Sequence, residues 1–150
     1  MIEKAYRSSP PTTSSADVEQ RLRAYGINPT QQRLTIAGKL FAKHQHVTAD
    51  QVHESVKTGQ GCASKATVYN TLGLFVEKGL LREIFVDSSR TFYDSNIQPH
   101  HHFYNVDTGD LIDAKEHLNP FFVESDLPHG TILEDVDIVI RVREKTAVSY

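Results

Sequence analysis

Apolar residues recur at helical spacing through the first half of the chain and at strand spacing through much of the second. Residues 1–16, MIEKAYRSSPPTTSSA, have no apolar period and are rich in Ser, Thr and Pro, which predicts a mobile tail. A first helix is expected from near Asp17, with Val18, Leu22 and Tyr25 on one face and Gly26 as its stop. Thr30, after Pro29, is a candidate N-cap for a second helix with Leu34, Ala37, Leu40 and Phe41 as its apolar stripe. Thr48 followed by Gln51 has capping-box spacing and predicts a third helix over roughly 49–57, burying Val52 and Val56. Gly59 and Gly61 interrupt the chain. Ser64 then caps a fourth helix, KATVYNTLGLFVEKG, with Val68, Leu72 and Phe75 on one side and Gly79 at its end.

Two β-rich runs follow, Leu81–Val86 and Thr91–Tyr93, around the turn residues Asp87-Ser88-Ser89. Helices followed by a hairpin make a winged helix-turn-helix, whose last helix before the wing enters the major groove. The plainer reading is any small helical domain with a hairpin. Beyond Pro99, HHFYNV and DLID surround DTGD and predict a second hairpin. A short helix is expected near Glu116–Val123. In VDIVIRV, Val136, Ile138, Ile140 and Val142 alternate with the residues between them, the mark of a half-buried strand. The expected class is α+β: a winged helix-turn-helix over 17–95, then a small α/β dimerisation domain over 96–150. A unit of ~50 residues buries little surface alone, so pairing with a second copy is expected.

Composition adds bounds. An apolar share of 39% and a charged share of 23% suit a soluble globular protein. No apolar run approaches the ~18–20 residues that span a bilayer, and the N-terminus lacks an apolar signal-peptide core. A cytoplasmic protein with no membrane partner is the expectation. Cys62 is the only cysteine, so neither an internal disulfide nor a structural zinc site built from four cysteines can form. The net charge of −3 conceals an asymmetry, with residues 17–95 at +2 and residues 96–150 at −6. If nucleic acid is a partner, the first block should touch it.

The stretch PHHHF, residues 99–103, holds three of the eight histidines. Side chains alternate along a strand, so His100 and His102 point one way and His101 the other. An HxH pair is a bidentate ligand set, but zinc takes about four ligands and iron or manganese up to six. Asp113, on the paired strand, and Asp94, just before the boundary, are within reach. His46, placed at the start of the third helix, would complete the shell from the first domain. Solvated histidines are the bland alternative. The fourth helix carries Ser64, Lys65, Thr67, Tyr69, Asn70 and Thr71 on its polar side. Lys65 suits a phosphate, Tyr69 a phosphate or a thymine methyl, and Asn70 can pair with adenine. Singly each is a solvated residue; as a set on this helix they favour DNA.

The stretch PTQQRLTIAGKLF…HVTADQVHESV…SKATVYNTLGLFVEKGLLREI resembles the DNA-binding half of the ferric uptake regulator (Fur) superfamily. The HHHF hairpin resembles its metal-sensing dimerisation half, and the likeness runs from about Asp17 to Arg143. ATVYNTL, GLLREI, HHHF and VDIVIRV look most like the iron response regulator (Irr) branch, known for repression tied to haem status. The resemblance implies a repressor of iron or haem homeostasis genes acting on an AT-rich operator. It implies one divalent metal per chain (Zn, Mn or Fe(II)) at the family's regulatory site, which falls on His46, Asp94, His100, His102 and Asp113. Arg33 matches the family's backbone-contacting arginine, whereas Asn70 stands where many members have Arg, implying adenine over guanine.

The departures matter as much. Asn105 and Thr108 replace the first CxxC pair of a structural zinc site, and the second pair is absent. Pro99 and His101 stand where a second dimerisation-domain site has a His and an acidic residue. No Cys-Pro haem motif exists. His101 is open to two readings, a haem axial ligand with His117 or His129, or a surface histidine; the likeness to Irr favours haem. A peroxide- or manganese-sensing member of the same family is the alternative. A metal-dependent hydrolase or oxygenase is the rival from another class, but five protein ligands leave it little open coordination, and no HExxH, GxSxG or P-loop occurs. A ligand-free repressor is the third option.

Overall fold

The structure, a computed structural model, describes residues 14–114 and 127–145. The chain divides into two compact units, Met1–Gln98 and Pro99–Tyr150. The first contains α1 (Ser15–Ala24), α2 (Gln31–Phe41), β1 (His46–Val47), α3 (Ala49–Val56), α4 (Lys65–Glu77), β2 (Arg82–Asp87) and β3 (Arg90–Asp94). The second contains β4 (His102–Asn105), β5 (Leu111–Asp113) and β6 (Val139–Val142).

Caps decide where the helices begin. The Ser14 hydroxyl accepts from the Asp17 amide at 3.1 Å, so α1 opens two residues before Asp17. Residues 14–16, expected in the tail, are thus its cap and first turn; residues 1–13 lie outside the described residues. Thr30 caps α2 and Ser64 caps α4, as their positions predict. At α3 both halves of the capping box are present: Thr48 Oγ1 accepts from the Gln51 amide, and Gln51 Oε1 from the Thr48 amide. At the end of α4, Gly79 at φ +78° donates to Val76 O and Leu80 donates to Phe75 O. That double closure needs the left-handed conformation that glycine adopts most readily.

Val18, Leu22, Ile36, Leu40, Phe41, Val52, Val56, Val68, Leu72 and Phe75 meet in one core, with the Phe41 and Phe75 ring centroids 6.0 Å apart. The loop before α4 is packed against α2: Gln32 Nε2 donates to Cys62 O at 3.2 Å. Gly61 sits there at φ +73°, and a Cβ on it would run into Thr35 Oγ1. Gly61→Ala is therefore expected to lower unfolding stability by about 1–3 kcal/mol. Gly59→Ala, at φ +91° but facing open space, should cost roughly half that. Denaturant unfolding of the two variants checks the ranking.

The sheet of the first unit has the order β1-β3-β2, all antiparallel. The hairpin is the expected wing, with a bulge between Phe85 and Asp87 and the Asp87 carboxylate accepting from the Ser89 amide and hydroxyl. Strand β1 has no counterpart among the elements expected from sequence. Two residues are too few to show a period, and only β3 gives them a ladder.

In the second unit β4 is central, antiparallel to β5 and parallel to β6. The tight turn between β4 and β5 is organised by Asn105, whose Oδ1 accepts from the amides of Asp107 and Thr108. Strand β6 begins at Val139, not Val136: its ladder with β4 starts at His102 opposite Val139. The His102 amide donates to Ile138 O, and the carbonyl of His101 before it accepts from the Ala114 amide instead. The helix expected near Glu116–Val123 lies outside the described residues. Among the described residues of this unit, only Tyr104 and Leu111 are buried apolar residues, while Ile112, Ile132 and Leu133 are exposed. No described helix is long and apolar enough to cross a membrane.

Candidate functional site

Register aligns a set of donors in the second unit. His102 opens β4, is fully buried, and stands opposite Asp113 of β5. His100, two residues earlier, lies before the strand proper, yet its ring keeps to the same side: the His100 and His102 centroids are 4.4 Å apart. Nε2 of His100 is 2.9 Å from Asp113 Oδ1, and Nε2 of His102 is 3.6 Å from the same oxygen. Each of the three offers a ligand atom within 4.8 Å of the others. Two imidazole nitrogens converging on one carboxylate oxygen are a donor set suited to a divalent ion of the zinc, manganese or ferrous class. Between them, the backbone of His101 is held by its carbonyl, which accepts from the Ala114 amide at 2.8 Å. The His101 ring is partly buried, with no hydrogen-bond partner for Nδ1 among the described residues.

A second set belongs to the first unit. His46 lies on β1, not at the start of α3 as expected, and faces Asp94 of β3. The side chains meet at 3.2 Å, Nε2 to Oδ2, and the Asp94 carboxylate is 1% exposed. Its other oxygen accepts from the Asn96 amide at 2.7 Å, part of what a carboxylate this buried requires. Two residues that no motif revealed hold β1 against β3. The Gln45 amide donates to Ser95 Oγ, the Ser95 amide donates to Gln45 O, and Gln45 Nε2 donates to the carbonyls of Lys39 and Leu40 at the end of α2. Two donors in one unit and three in the other each fall short of the four that zinc takes.

On α4, Val68, Thr71, Leu72 and Phe75 face the core, which removes Thr71 from the polar set expected there. Ser64, Lys65 and Asn70 are exposed, and Tyr69 is 47% exposed despite its size. Thr67 Oγ1 is 2.9 Å from the hydroxyl of Ser64, so both belong to the cap. Lys65 Nζ is 2.8 Å from Asp50 Oδ1 on α3. Hydrogen bonding to that carboxylate, then its charge, raises the lysine above its ordinary pKa. Arg33 of α2 donates to Asn28 O at 2.9 Å. Of the other histidines singled out, His129 is exposed and His117 lies outside the described residues.

A capped helix followed by a hairpin is joined to a small unit whose described elements are strands and in which two histidines converge on a carboxylate. Together they define a two-unit winged-helix protein with a candidate metal-binding set. Residues 24–123 match the Ferric uptake regulator family, and the chain belongs to that family. It is 33% identical over 92 residues to the "Peroxide-responsive repressor PerR" of Staphylococcus aureus (strain Mu50 / ATCC 700699), covering 61% of this chain and 62% of that protein. The chain thus spans about three fifths of the length of the curated relatives it matches. The ferric uptake regulator of Pseudomonas aeruginosa, solved with manganese, superposes at TM-score 0.61 and 26% identity, over 85% of this chain and 98% of the other. That of Francisella tularensis, solved with iron, does so at 0.64 and 27%, over 81% and 94%. Where the resemblance implied lost zinc cysteines, Asn105 and Thr108 carry the turn by hydrogen bonds: Thr108 Oγ1 accepts from the Asp110 amide. The single cysteine, Cys62, belongs to the first unit.

Proposed function

We propose that this chain is a dimeric, DNA-binding transcriptional regulator, a repressor, whose affinity for an AT-rich operator responds to one divalent metal ion per chain. The observation that carries the metal is the convergence of His100 and His102 on Asp113. His46 and Asp94, themselves paired, are the donors from the first unit that complete the shell. Bound there, the ion supplies a positive charge and a fixed coordination demand that both donor sets serve. A ligand shifts a conformational equilibrium only by its differential affinity for the states. An ion drawing on both units favours whichever placement lets all five side chains reach it, and so links metal status to the helix that reads DNA.

Support for DNA comes from α4, with Lys65 set for a phosphate and Tyr69 and Asn70 for base edges. Arg33, Ser64 and Thr67 complete the surface. Regulation rather than catalysis is supported by the family and by a relative named a repressor. The target genes are those of iron or haem homeostasis, the reading that follows from the resemblance to Irr. Titrating operator affinity with Mn²⁺, Fe²⁺, Zn²⁺ and haem in turn is the deciding experiment. A change of ten-fold or more with one metal supports the reading; indifference to all four leaves a ligand-free repressor. Haem binding through His101, with His129 or His117, is the separate outcome of the haem arm.

The second unit carries the dimer interface in this proposal. Two buried apolar residues among its described ones make a thin core, and exposed Ile112, Ile132 and Leu133 need cover. The chain should sediment as a dimer at micromolar concentration, and a fragment ending near residue 95 as a monomer. A monomeric full chain would overturn the assignment.

A further inference from the structure

Lys65 and Asp50 form an ion pair at 2.8 Å between the first turns of α4 and α3, with side chains 59% and 69% exposed. Both groups are open to solvent, so a DNA phosphate arriving at α4 meets a lysine that already has an anionic partner. Asp50 also lines a polar groove with Tyr69, Glu83 and Arg90, which sets two carboxylates beside the exposed tyrosine of the recognition helix. A carboxylate beside a phosphate-contacting lysine does two things. It holds the ammonium at the start of α4, and it repels the phosphate that would replace it.

On this basis, and resting on the reading of α4 as the DNA-binding helix, we infer that Asp50 is a positioning residue that restrains sequence-independent DNA affinity by competing for Lys65. Phosphate contacts supply most non-specific binding, and each neutralised phosphate contributes close to one unit to the salt slope. Restraining one such contact lets base contacts count for a larger share of the total. The pair is solvent-exposed and screened, so its effect is modest and largest at low salt.

The test is a double-mutant cycle on the full chain, with duplex binding measured against salt on a cognate and an unrelated sequence. Asp50→Asn should raise affinity for both duplexes by about two- to five-fold and steepen the salt slope by only a fraction of one, since Lys65 neutralises at most one phosphate. In a Lys65→Ala background the same change should do little. An equal gain with and without Lys65 would mean diffuse charge and overturn the inference. So would no gain from Asp50→Asn where Lys65→Ala still weakens binding, which leaves the DNA reading standing. If Lys65→Ala and Tyr69→Ala both leave binding unchanged, the α4 reading falls and takes this inference with it. Asp50→Ser, which also suits a helix start, replaces the Asn variant should unfolding curves show that one destabilised.

Discussion

Substituting His100 or Asp113 is expected to lower bound metal by about one ion per chain and to abolish the metal dependence of DNA binding, because a site deprived of a donor no longer closes its shell. Asp113→Asn is the cleanest variant. Its side chain is 45% exposed, so the change keeps the shape and removes the charge on which both imidazoles converge. His102→Ala should lose the metal too, but His102 is fully buried and its removal also leaves a cavity, so stability should fall with it. His46→Ala should lose the metal only in part, since it leaves the convergence of His100 and His102 on Asp113 intact. His101→Ala should spare the metal, because its ring leaves the pair that faces Asp113 intact. Metal analysis after dialysis, beside an operator titration of each variant, checks the series. Equal loss in all three variants of the run would mean that alternation does not govern it. Undiminished metal in Asp113→Asn would remove the second-unit set from the site.

Tyr69→Ala and Asn70→Ala should each weaken specific DNA binding by ~1–3 kcal/mol without changing oligomeric state. Both residues are exposed on α4 and lie outside the buried core, so unfolding curves should change little while affinity falls. Asn70→Arg should move base preference from adenine toward guanine, since a guanidinium donates to guanine acceptors where the amide matches adenine. Lys65→Ala should instead reduce affinity for all sequences alike and flatten the salt slope by about one. Binding isotherms at several salt concentrations separate the two behaviours. If Asn70→Ala left the cognate site's affinity untouched, the assignment of α4 to the groove would be wrong.

Much of the first unit was legible because its signals are local. A cap and its helix lie within four residues, so Thr30, Thr48 and Ser64 could be read as starts without knowing what packs where. Apolar spacing on α3 and α4 identified residues that now form the core. On α2 it identified Ala37, Leu40 and Phe41 but missed the fully buried Ile36 and took in Leu34, which is only partly buried. The N-terminal boundary of α1 was the exception: Ser14 was one of several serines in a polar stretch, and only its bond to the Asp17 amide marks it as the cap. The HxH pair was legible by strand spacing, Asp113, Asp94 and His46 by residue type and placement, and the likeness to a known family fell on the same five.

Tertiary structure decided what depends on distant partners. His46 was legible as a histidine but not as a strand residue, because β1 exists only through its ladder with β3 and the Gln45–Ser95 bonds that cross about fifty positions of sequence. Strand β6 is shorter than its alternation because a strand extends only as far as its neighbour can pair. Thr71 looked polar by type and is buried by the direction of its face on α4. The Lys65–Asp50 pair joins two helices separated by a glycine-containing loop, so no period in the sequence announces it. Short-range hydrogen bonding and periodicity are written in neighbouring residues. Register, burial and charge pairing belong to residues that meet only when the chain has folded.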